Sequence, residues 1–314
     1  MSGVLFQLVQ FALVLALAPL LTGIVRKVKA RLNGRIGASP LQPYRDLARL
    51  LRKQPVAAEG ASPLFFASPL AAFVILWLAA GLVPSFTTDL VLAGSADLIA
   101  LVALLAAARF ATALGGLDVG TAFGGIGASR DMMLAALAEP AMLMVIVTLA
   151  LVAGSTSLLR IVGFVVGGGV GVEISMSLAL IALLMVAIAE NGRIPIDNPA
   201  THLELTMVHE AMVLEYSGRQ LALIEGAQML KLLLYLSLVG AVFAPWTIAF
   251  EDTPDALMVG LIGYAGKLAL GAVGLGLFEV TIAKMRVFRA TEFLGGALLL
   301  GLLAAIFRLI AETV

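Results

Sequence analysis

The residues that could do chemistry are concentrated in one stretch, residues 189–218, which reads AENGRIPIDNPATHLELTMVHEAMVLEYSG. It holds five acidic residues, one arginine and both histidines of the chain. Clustered carboxylates repel one another and resist ionisation when partly buried, so they can exchange protons near neutral pH. The alternative is a solvated acidic face on a surface helix. The acidic residues are Glu190, Asp197, Glu204, Glu210 and Glu215.

Local signals within this stretch predict a break followed by a helix. Gly, Pro and Asn residues interrupt regular structure after residue 190, and alternating apolar and polar residues predict a helix over 201–216. His202 and His209 would share a face of that helix, but the sequence lacks the second histidine of an HExxH motif, so we predict no metal site. The chain has no cysteine, which excludes Cys-ligated iron–sulfur clusters within it.

Other ionisable residues lie inside long apolar segments. Such groups are costly in a bilayer and usually face a protein interior or a water-filled cavity, so they indicate a route for protons or ions. We predict this role for Glu139, Lys267 and Glu279, the last two lying on roughly one face of a helix and about 18 Å apart along its axis. The residues for which snorkelling towards a helix end is a sufficient explanation are Lys231, Glu173 and Glu292.

The composition shows which elements must hold these residues. Of the 314 residues, 61% are hydrophobic and 13% charged, against about 25% charged in a typical soluble domain. Many apolar runs approach the roughly 20 residues that cross a bilayer, so we predict an all-α, polytopic integral membrane bundle plus an amphipathic interfacial helix. The first span is expected to be retained, since no basic region precedes it. The eight predicted spans are about 4–25, 68–86, 96–114, 131–153, 173–190, 226–247, 256–283 and 290–311.

The basic residues predict the orientation of the bundle. Sixteen of the 20 Lys and Arg residues, with Arg109 counted among them, fall on the side of the odd-numbered connections. The positive-inside rule places that side in the cytoplasm and both termini on the outer side of the cell inner membrane. A net charge of zero gives no reason to expect a nucleic-acid partner. The predicted cytoplasmic connections are the first (residues 26–67), the third (115–130), the fifth (191–225) and the seventh (284–289), called connections one, three, five and seven below.

Two of these connections carry local helix signals. The first contains SPLQPYRDLARLLRKQP, a predicted amphipathic helix with Ser39 as its cap and Pro40 at its first position. This helix would lie at the membrane interface as a basic anchor, as the floor of an access path for an amphipathic substrate, or as a dock for an acidic soluble partner. In the third connection, Ser129 and Asp131 are expected to cap the fourth membrane helix.

Two motifs resemble a known family, the membrane subunit shared by proton-pumping NADH:quinone oxidoreductase (complex I) and the membrane-bound group 4 nickel–iron hydrogenases. One is RLNGRIGASPLQPYRDLARLLRK, residues 31–53, which is similar to the family's first cytoplasmic loop. The other is residues 189–218, and the spacing from Arg130 to Glu139 also fits. The similarity covers nearly the whole chain. The residues of this chain that match the family's motifs are Arg35, Glu139, Glu190, Arg193, Asp197 and Glu215.

The second motif resembles the hydrogenase branch of this family, which includes formate hydrogenlyase and hydrogenase-4. Complex I relatives typically have a RAPFDLPEGE-like run, from which this chain departs at Ile196, Asn198 and Thr201–His202. A quinone site is therefore an open alternative and not an expectation.

The resemblance implies an energy-coupling membrane subunit of a redox-driven complex that translocates protons or sodium ions. Iron–sulfur clusters and a nickel–iron centre would belong to hydrogenase-like large and small subunits and ferredoxin-like subunits, with antiporter-like membrane subunits alongside. The rivals are a quinone-site subunit of a complex I-like enzyme, a stand-alone ion transporter and a passive anchor. The expected proton path comprises Glu139, Glu190, Asp197, Glu204, Glu210, Glu215, Lys267 and Glu279. The expected chamber and docking residues are Arg35, Tyr44, Arg45, Arg130, Asp131, Arg193, His202 and His209.

Overall fold

In the computed structural model, long α-helices run back and forth across the molecule, and the structure describes residues 2–168, 173–193, 196, 207–283 and 289–313. Short 3-10 turns at Val91–Ser95 and Pro245–Thr247 lie in two of the connections. The helices are α1 (Ser2–Leu32), α2 (Gln42–Leu51), α3 (Pro63–Leu82), α4 (Leu98–Asp118), α5 (Ala122–Ala153), α6 (Leu158–Val166), α7 (Ile174–Glu190), α8 (His209–Val213), α9 (Gly218–Val242), α10 (Pro254–Thr281) and α11 (Arg289–Thr313).

Within these described ranges, seven helices are long and apolar enough to cross a membrane: α1, α3, α4, α5, α9, α10 and α11. The remaining predicted span, the fifth at residues 173–190, coincides with α7, which is also apolar but has 17 residues. The all-α, polytopic membrane class is confirmed. Several helices extend beyond the predicted limits of the spans, and those limits stay predictions.

Helix α9 lies at the centre of the bundle. It packs against α1, α2, α3, α7 and α10, while α11 packs against α5 and α7, and α3 against α4. Leucines on several sides of α9 are fully buried, among them Leu230, Leu233 and Leu238. A helix that is apolar all round is covered by protein or lipid on every side, and here the cover is protein. Polar groups on α9 are therefore held inside the molecule.

The start of α5 differs from the prediction. The helix begins at Ala122, where the Thr121 side chain accepts a hydrogen bond from the Gly124 backbone N–H at 3.1 Å. Ser129 lies two turns inside the helix and donates to the Ile126 carbonyl at 3.0 Å, so the prediction that Ser129 and Asp131 cap it is wrong. The glycine at position 127 allows close packing on connection five, because a Cβ there would press against Met212.

The predicted amphipathic helix is present as α2, but it begins at Gln42, after Ser39 and Pro40. The Ser39 hydroxyl accepts a hydrogen bond from the Leu41 N–H at 3.3 Å in a turn before the helix, so its predicted capping role is wrong. Helix α2 packs on α1 and α9. Arg219 at the start of α9 donates from Nε to the Leu51 carbonyl at 3.3 Å, which holds the end of α2 in place.

Connection five contains only one described helix, the five-residue α8. The predicted helix over 201–216 ends earlier, at Val213, and residues 201–206 lie outside the described part of the chain. The predicted break after α7 is confirmed at Asn191 and Gly192, where Gly192 has a φ of +54°. The Arg193 N–H closes this helix end by donating to the Ile188 carbonyl at 3.1 Å.

Candidate functional site

Four charged side chains from four helices meet inside the bundle and form a central ion-pair cluster. Arg109 of α4 donates from one guanidinium nitrogen to Glu139 Oε1 of α5 at 3.1 Å, and from the other to Glu190 Oε1 at the end of α7. Lys231 Nζ of α9 lies 2.7 Å from Glu190 Oε2. The side chains of Arg109 and Glu190 are 7% and 5% exposed, while Glu139 is 41% exposed. Two cations thus balance two carboxylates.

The sequence explains why these groups take these positions. Glu190 is the last residue of α7, where the negative end of the helix dipole favours nearby cations. The planar guanidinium of Arg109 has two edges of donors and can serve two carboxylates at once. Counting Arg109 with the third connection was wrong, since it is the twelfth residue of α4 and buried. Snorkelling of Lys231 was wrong too, because its ammonium is paired inside the protein.

A second group, the inner ion-pair cluster, forms around Glu279 of α10. Its side chain is 1% exposed and pairs with Lys29 of α1, and its Oε1 accepts from Arg193 at 3.2 Å. Lys267 lies on the same helix but away from this cluster, where its stem passes Gly240 of α9 and it lines a crevice with Tyr264. Of the two residues predicted on this helix, Glu279 therefore lies in a charged cluster and Lys267 does not.

Glu173, for which snorkelling was expected, is also paired. At the opposite end of α7 from Glu190, its carboxylate accepts from Arg308 of α11 at 3.4 Å. This pair ties α7 to α11 and lies outside both clusters.

Two neighbouring cavities adjoin the clusters. The central cavity, about 50 Å³, is lined by Arg109, Glu190 and Lys231, together with Asp131 of α5. The inner cavity, about 190 Å³, is more polar. Asn191, His209 and Gln228 line both cavities and separate them. The charged residues that line the inner cavity are Arg26, Lys29, Arg193, Glu210 and Glu225.

A third space, the apolar cavity of about 380 Å³, lies between α7, α9 and α10. Leucine, valine, isoleucine and glycine make up most of its wall, with Tyr235 and Phe278. Asn191 and Arg193 line both this space and the inner cavity, so a polar compartment and an apolar one adjoin at these two residues.

The end of connection five is held by contacts with the start of α5 and with α3. Glu215 accepts a hydrogen bond from the Thr121 hydroxyl at the start of α5. The ring of Tyr216 stacks on Phe65, with centroids 4.3 Å apart, and its hydroxyl lies 3.0 Å from Ser68 Oγ. Burial raises the pKa of Tyr216 above its ordinary value, so the phenol stays neutral and suits this hydrogen bond.

The next two residues attach connection one. The Ser217 hydroxyl accepts from the Val56 N–H at 2.7 Å and donates to the Val56 carbonyl at 2.9 Å. Gly218 has a φ of +54°, and a Cβ there would collide with the Gln54 backbone. The EYSG motif at residues 215–218 therefore joins connections one and five and the start of α5 through contacts that each need that residue type.

Known proteins resemble this chain along almost its whole length. Residues 5–310 match the family described as NADH dehydrogenase. The chain belongs to the NADH dehydrogenase family. It is 36% identical over 285 residues to formate hydrogenlyase subunit 4 of Escherichia coli (strain K12), covering 91% of this chain and 92% of that relative. Hydrogenase-4 component C of the same strain is also 36% identical, over 283 residues, or 90% of this chain and 89% of the relative.

Two further likenesses are more distant. A subunit of the NADH-quinone oxidoreductase of Bacillus cytotoxicus (strain DSM 22905 / CIP 110041 / 391-98 / NVH 391-98) is 27% identical over 295 residues, or 90% of this chain and 85% of the relative. A chain of the membrane-bound sulfane sulfur reductase, an archaeal respiratory membrane complex, superposes with a TM-score of 0.81 at 20% identity, covering 98% of this chain and all of that one. The last comparison shows a shared fold. The family predicted from the two motifs is confirmed.

In this member of the NADH dehydrogenase family, the other predicted residues lie at the end of the bundle that carries connections one and five. Arg130 donates to the Met207 carbonyl at 2.8 Å and thereby holds connection five on α5. Tyr44 donates to the Ala16 carbonyl, and Arg35 and Arg45 are exposed. In the described ranges, no three His, Asp or Glu residues lie close enough together to hold a metal ion. The predicted residues outside the described part of the chain are Asp197, His202 and Glu204.

Sequence reasoning missed several residues that the family fold brings into the site. Arg109 gave a usable signal, because an arginine inside the apolar run LIALVALLAAARFATALGG is costly unless it has a partner. Glu225 and Gln228 gave a weaker one, since they fall at the predicted start of a span, where polar residues are common.

Proposed function

We propose that this chain is the energy-coupling membrane subunit of a multi-subunit redox complex of the hydrogenase type, which moves protons or sodium ions across the membrane. The relatives at 36% identity, a formate hydrogenlyase subunit and a hydrogenase-4 component, support this proposal. The observation that carries it is the central ion-pair cluster, which lies inside an apolar bundle beside two neighbouring cavities that share lining residues.

The central cluster is suited to passing a proton because Arg109 is shared. When Glu190 is ionised, the guanidinium divides its donors between Glu190 and Glu139. A proton arriving on one carboxylate weakens its hold on Arg109 and strengthens the other ion pair, so a charge change at Glu190 is transmitted to Glu139. Glu139 is the more exposed carboxylate and would pass the change on to an antiporter-like neighbour.

The remaining acids would bring this charge change from the inner face. Glu210 lines the inner cavity, and Glu215, at the end of the same connection, accepts a hydrogen bond from Thr121. Asp197 and Glu204 belong to the same connection in the sequence. Glu279 would act through Arg193, which lines the same cavity, whereas Lys267 has no described contact with this path and keeps only its predicted role.

The inner face would dock a soluble arm. Arg35 and Arg45 are exposed there, and Tyr44, Arg130 and Arg193 hold the surrounding segments in place. The same predicted role covers His202, His209 and Asp131. The chain has no cysteine, so iron–sulfur clusters and a nickel–iron centre would be held by the hydrogenase-like and ferredoxin-like partners. In the cell inner membrane, this face would be cytoplasmic and both termini outside.

Replacing Glu139 by Gln tests the proposal. The amide keeps the shape of the side chain but cannot carry the proton, so ion movement per redox turnover should fall at least about tenfold while the complex still assembles. The measurement is the pH change inside liposomes that contain the purified complex. Glu215→Gln should act in the same direction, and the exposed Glu251→Gln is the matched control. Translocation at the wild-type level in both test variants would count against this function.

A quinone-site subunit is the second candidate. The adjoining polar and apolar cavities would suit a polar head with an apolar tail, and one relative is named as a subunit of an NADH-quinone oxidoreductase. Gly274 lines the apolar cavity with open space around it, so Gly274→Leu should narrow that space. If a quinone binds there, the purified complex reduces added quinone and the variant loses this activity. Absence of quinone reduction by the wild-type complex rules this candidate out.

A further inference from the structure

Lys267 of α10 is a partly buried cation at the end of the bundle opposite the inner face. Its stem lies against Gly240, in the last turn of α9. The residues that line its crevice with it are uncharged, and it has no hydrogen bond or ion pair with any residue that the structure describes. A lone charge beside hydrocarbon is costly, so we expect an anion from outside this chain next to the ammonium group.

The crevice of Lys267 leads to the apolar cavity. Lys267, Gly271, Gly274 and Phe278 follow one another at spacings of four, three and four residues, which places them on one side of α10. The last three line the apolar cavity, and Leu236 of α9 lines both the crevice and that cavity. From Gly271 to Phe278 the cavity extends about 10 Å along the helix axis. The cation therefore lies one helical turn beyond an apolar space.

This apolar space lies where two helices stand apart. Helix α10 packs on α1 and α9, and α7 packs on α5, α9 and α11, but within the described ranges α7 and α10 do not pack closely on each other. A Cβ at Gly274 would meet no atom within 4 Å. Well-packed proteins have few voids larger than a water molecule, so a space of about 380 Å³ calls for a hydrocarbon occupant.

We propose that Lys267 and the apolar cavity bind one anionic phospholipid. Its phosphate lies beside the ammonium group of Lys267, and one acyl chain passes Gly271 and Leu236 into the cavity. The length of about 10 Å fits one leaflet, which is about half of the roughly 30 Å hydrocarbon core. In the predicted orientation this is the outer leaflet. The site does not depend on the proposed function.

Charge and depth favour a phospholipid over other occupants. A quinone head is neutral and would leave the charge of Lys267 uncompensated, whereas a phosphate carries the opposite charge. Phosphates lie at the membrane surface, and the exposed Trp246, just beyond the end of α9, marks that level because tryptophan is enriched there. A carboxylate on a partner's membrane helix would pair with Lys267 but leave the apolar cavity unfilled.

Native mass spectrometry of the purified complex tests the headgroup contact. The wild-type complex should retain one anionic phospholipid in detergent and, once stripped of lipid, should bind added phosphatidylglycerol more tightly than phosphatidylcholine. Lys267→Gln should weaken phosphatidylglycerol binding at least about tenfold, because a hydrogen bond between charged groups is lost, and Lys267→Arg should restore it. Arg160→Gln is the matched control, since this exposed arginine of α6 lines neither the crevice nor the cavity.

Gly274→Leu tests the acyl-chain contact by itself. The leucine side chain would take the place of several methylene groups in the cavity, so phospholipid retention should fall at least about tenfold. Gly266→Leu is the control, because Gly266 is on the same helix with open space around it but does not line the cavity. If Gly274→Leu fails to assemble, the comparison of Lys267→Gln with Lys267→Arg still decides, as it changes only the end of one side chain.

Several results would overturn the site. One is a wild-type complex that carries a quinone instead of a phospholipid, or neither. Another is a bound phospholipid that Lys267→Gln or an assembled Gly274→Leu complex retains as well as the wild type does, because that lipid would be held elsewhere. These measurements do not involve ion movement. Wild-type translocation in Glu139→Gln and Glu215→Gln would therefore count against the proposed function and leave the phospholipid site standing.

Discussion

At the residue scale, the guanidinium of Arg109 serves carboxylates that are 30 and 81 residues away in the sequence. Each of the three groups would be costly in the interior by itself, because an ion removed from water loses several kcal/mol of hydration. Together with Lys231 they form a neutral group whose ion pairs compensate part of that cost. The buried charges therefore depend on one another, and removing one affects all of them.

Arg109→Ala should destabilise the protein strongly. Glu190 is buried and would keep only Lys231, and breaking a buried ion pair from one side costs about 3–5 kcal/mol. Glu139 would also lose its described partner, but it is 41% exposed and this loss costs less. The measurement is the thermal unfolding midpoint of the purified protein in detergent. Arg45→Ala, on the exposed face of α2, is the control and should leave the midpoint unchanged. Equal midpoints for the two variants would show that the cluster contributes nothing to stability.

At the element scale, the end of α7 and the start of α9 position the site. Helix α7 stops at Glu190 and so brings a carboxylate and the negative end of its dipole to Arg109 and Lys231. Helix α9 can start at Gly218 because Ser217 and Gly218 fit closely against residues 54–56. This start holds α9 at the end that leads to Gln228 and Lys231, which line the central cavity.

Gly218→Ala tests the start of α9. An L-residue with a positive φ costs about 1–2 kcal/mol, and the new methyl group would also collide with the Gln54 backbone. We expect a lower thermal midpoint and weaker attachment of connection one, seen as faster proteolysis near residue 54. Gly266→Ala in α10 has open space around it and should be neutral or slightly stabilising, as alanine favours helix. A midpoint for Gly218→Ala at or above that of Gly266→Ala would contradict the close fit.

At the scale of the whole molecule, the distribution of charge separates the two ends of the bundle. The inner ion-pair cluster, the inner cavity and the exposed arginines of connection one lie at one end, and the pair of Glu173 and Arg308 at the other. Because Arg109 lies in α4 and not in the third connection, the number of Lys and Arg residues on the side of the odd-numbered connections falls by one. The bias that sets the orientation remains large.

The orientation can be read from single cysteines, since the chain has none of its own. Ser2→Cys and Ser39→Cys are matched changes at exposed serines of opposite ends. We expect an impermeant maleimide added to spheroplasts to label Cys at position 2 and to reach position 39 only after the membrane is opened, as the positive-inside rule requires. The reverse labelling pattern would show that the bundle is inserted the other way round.

The sequence by itself determined the fold class and the family. Apolar runs of bilayer length leave few folds open, and the motifs at residues 31–53 and 189–218 have residue types that close contacts require, as Ser217 and Gly218 show. Only the tertiary structure decided which charges meet. In helices that are apolar on nearly every side, periodicity does not mark the face that meets a given neighbour. Arg109 was therefore counted with a connection, the partners of Glu279 could not be named, and Lys231 was expected to snorkel although it pairs with Glu190.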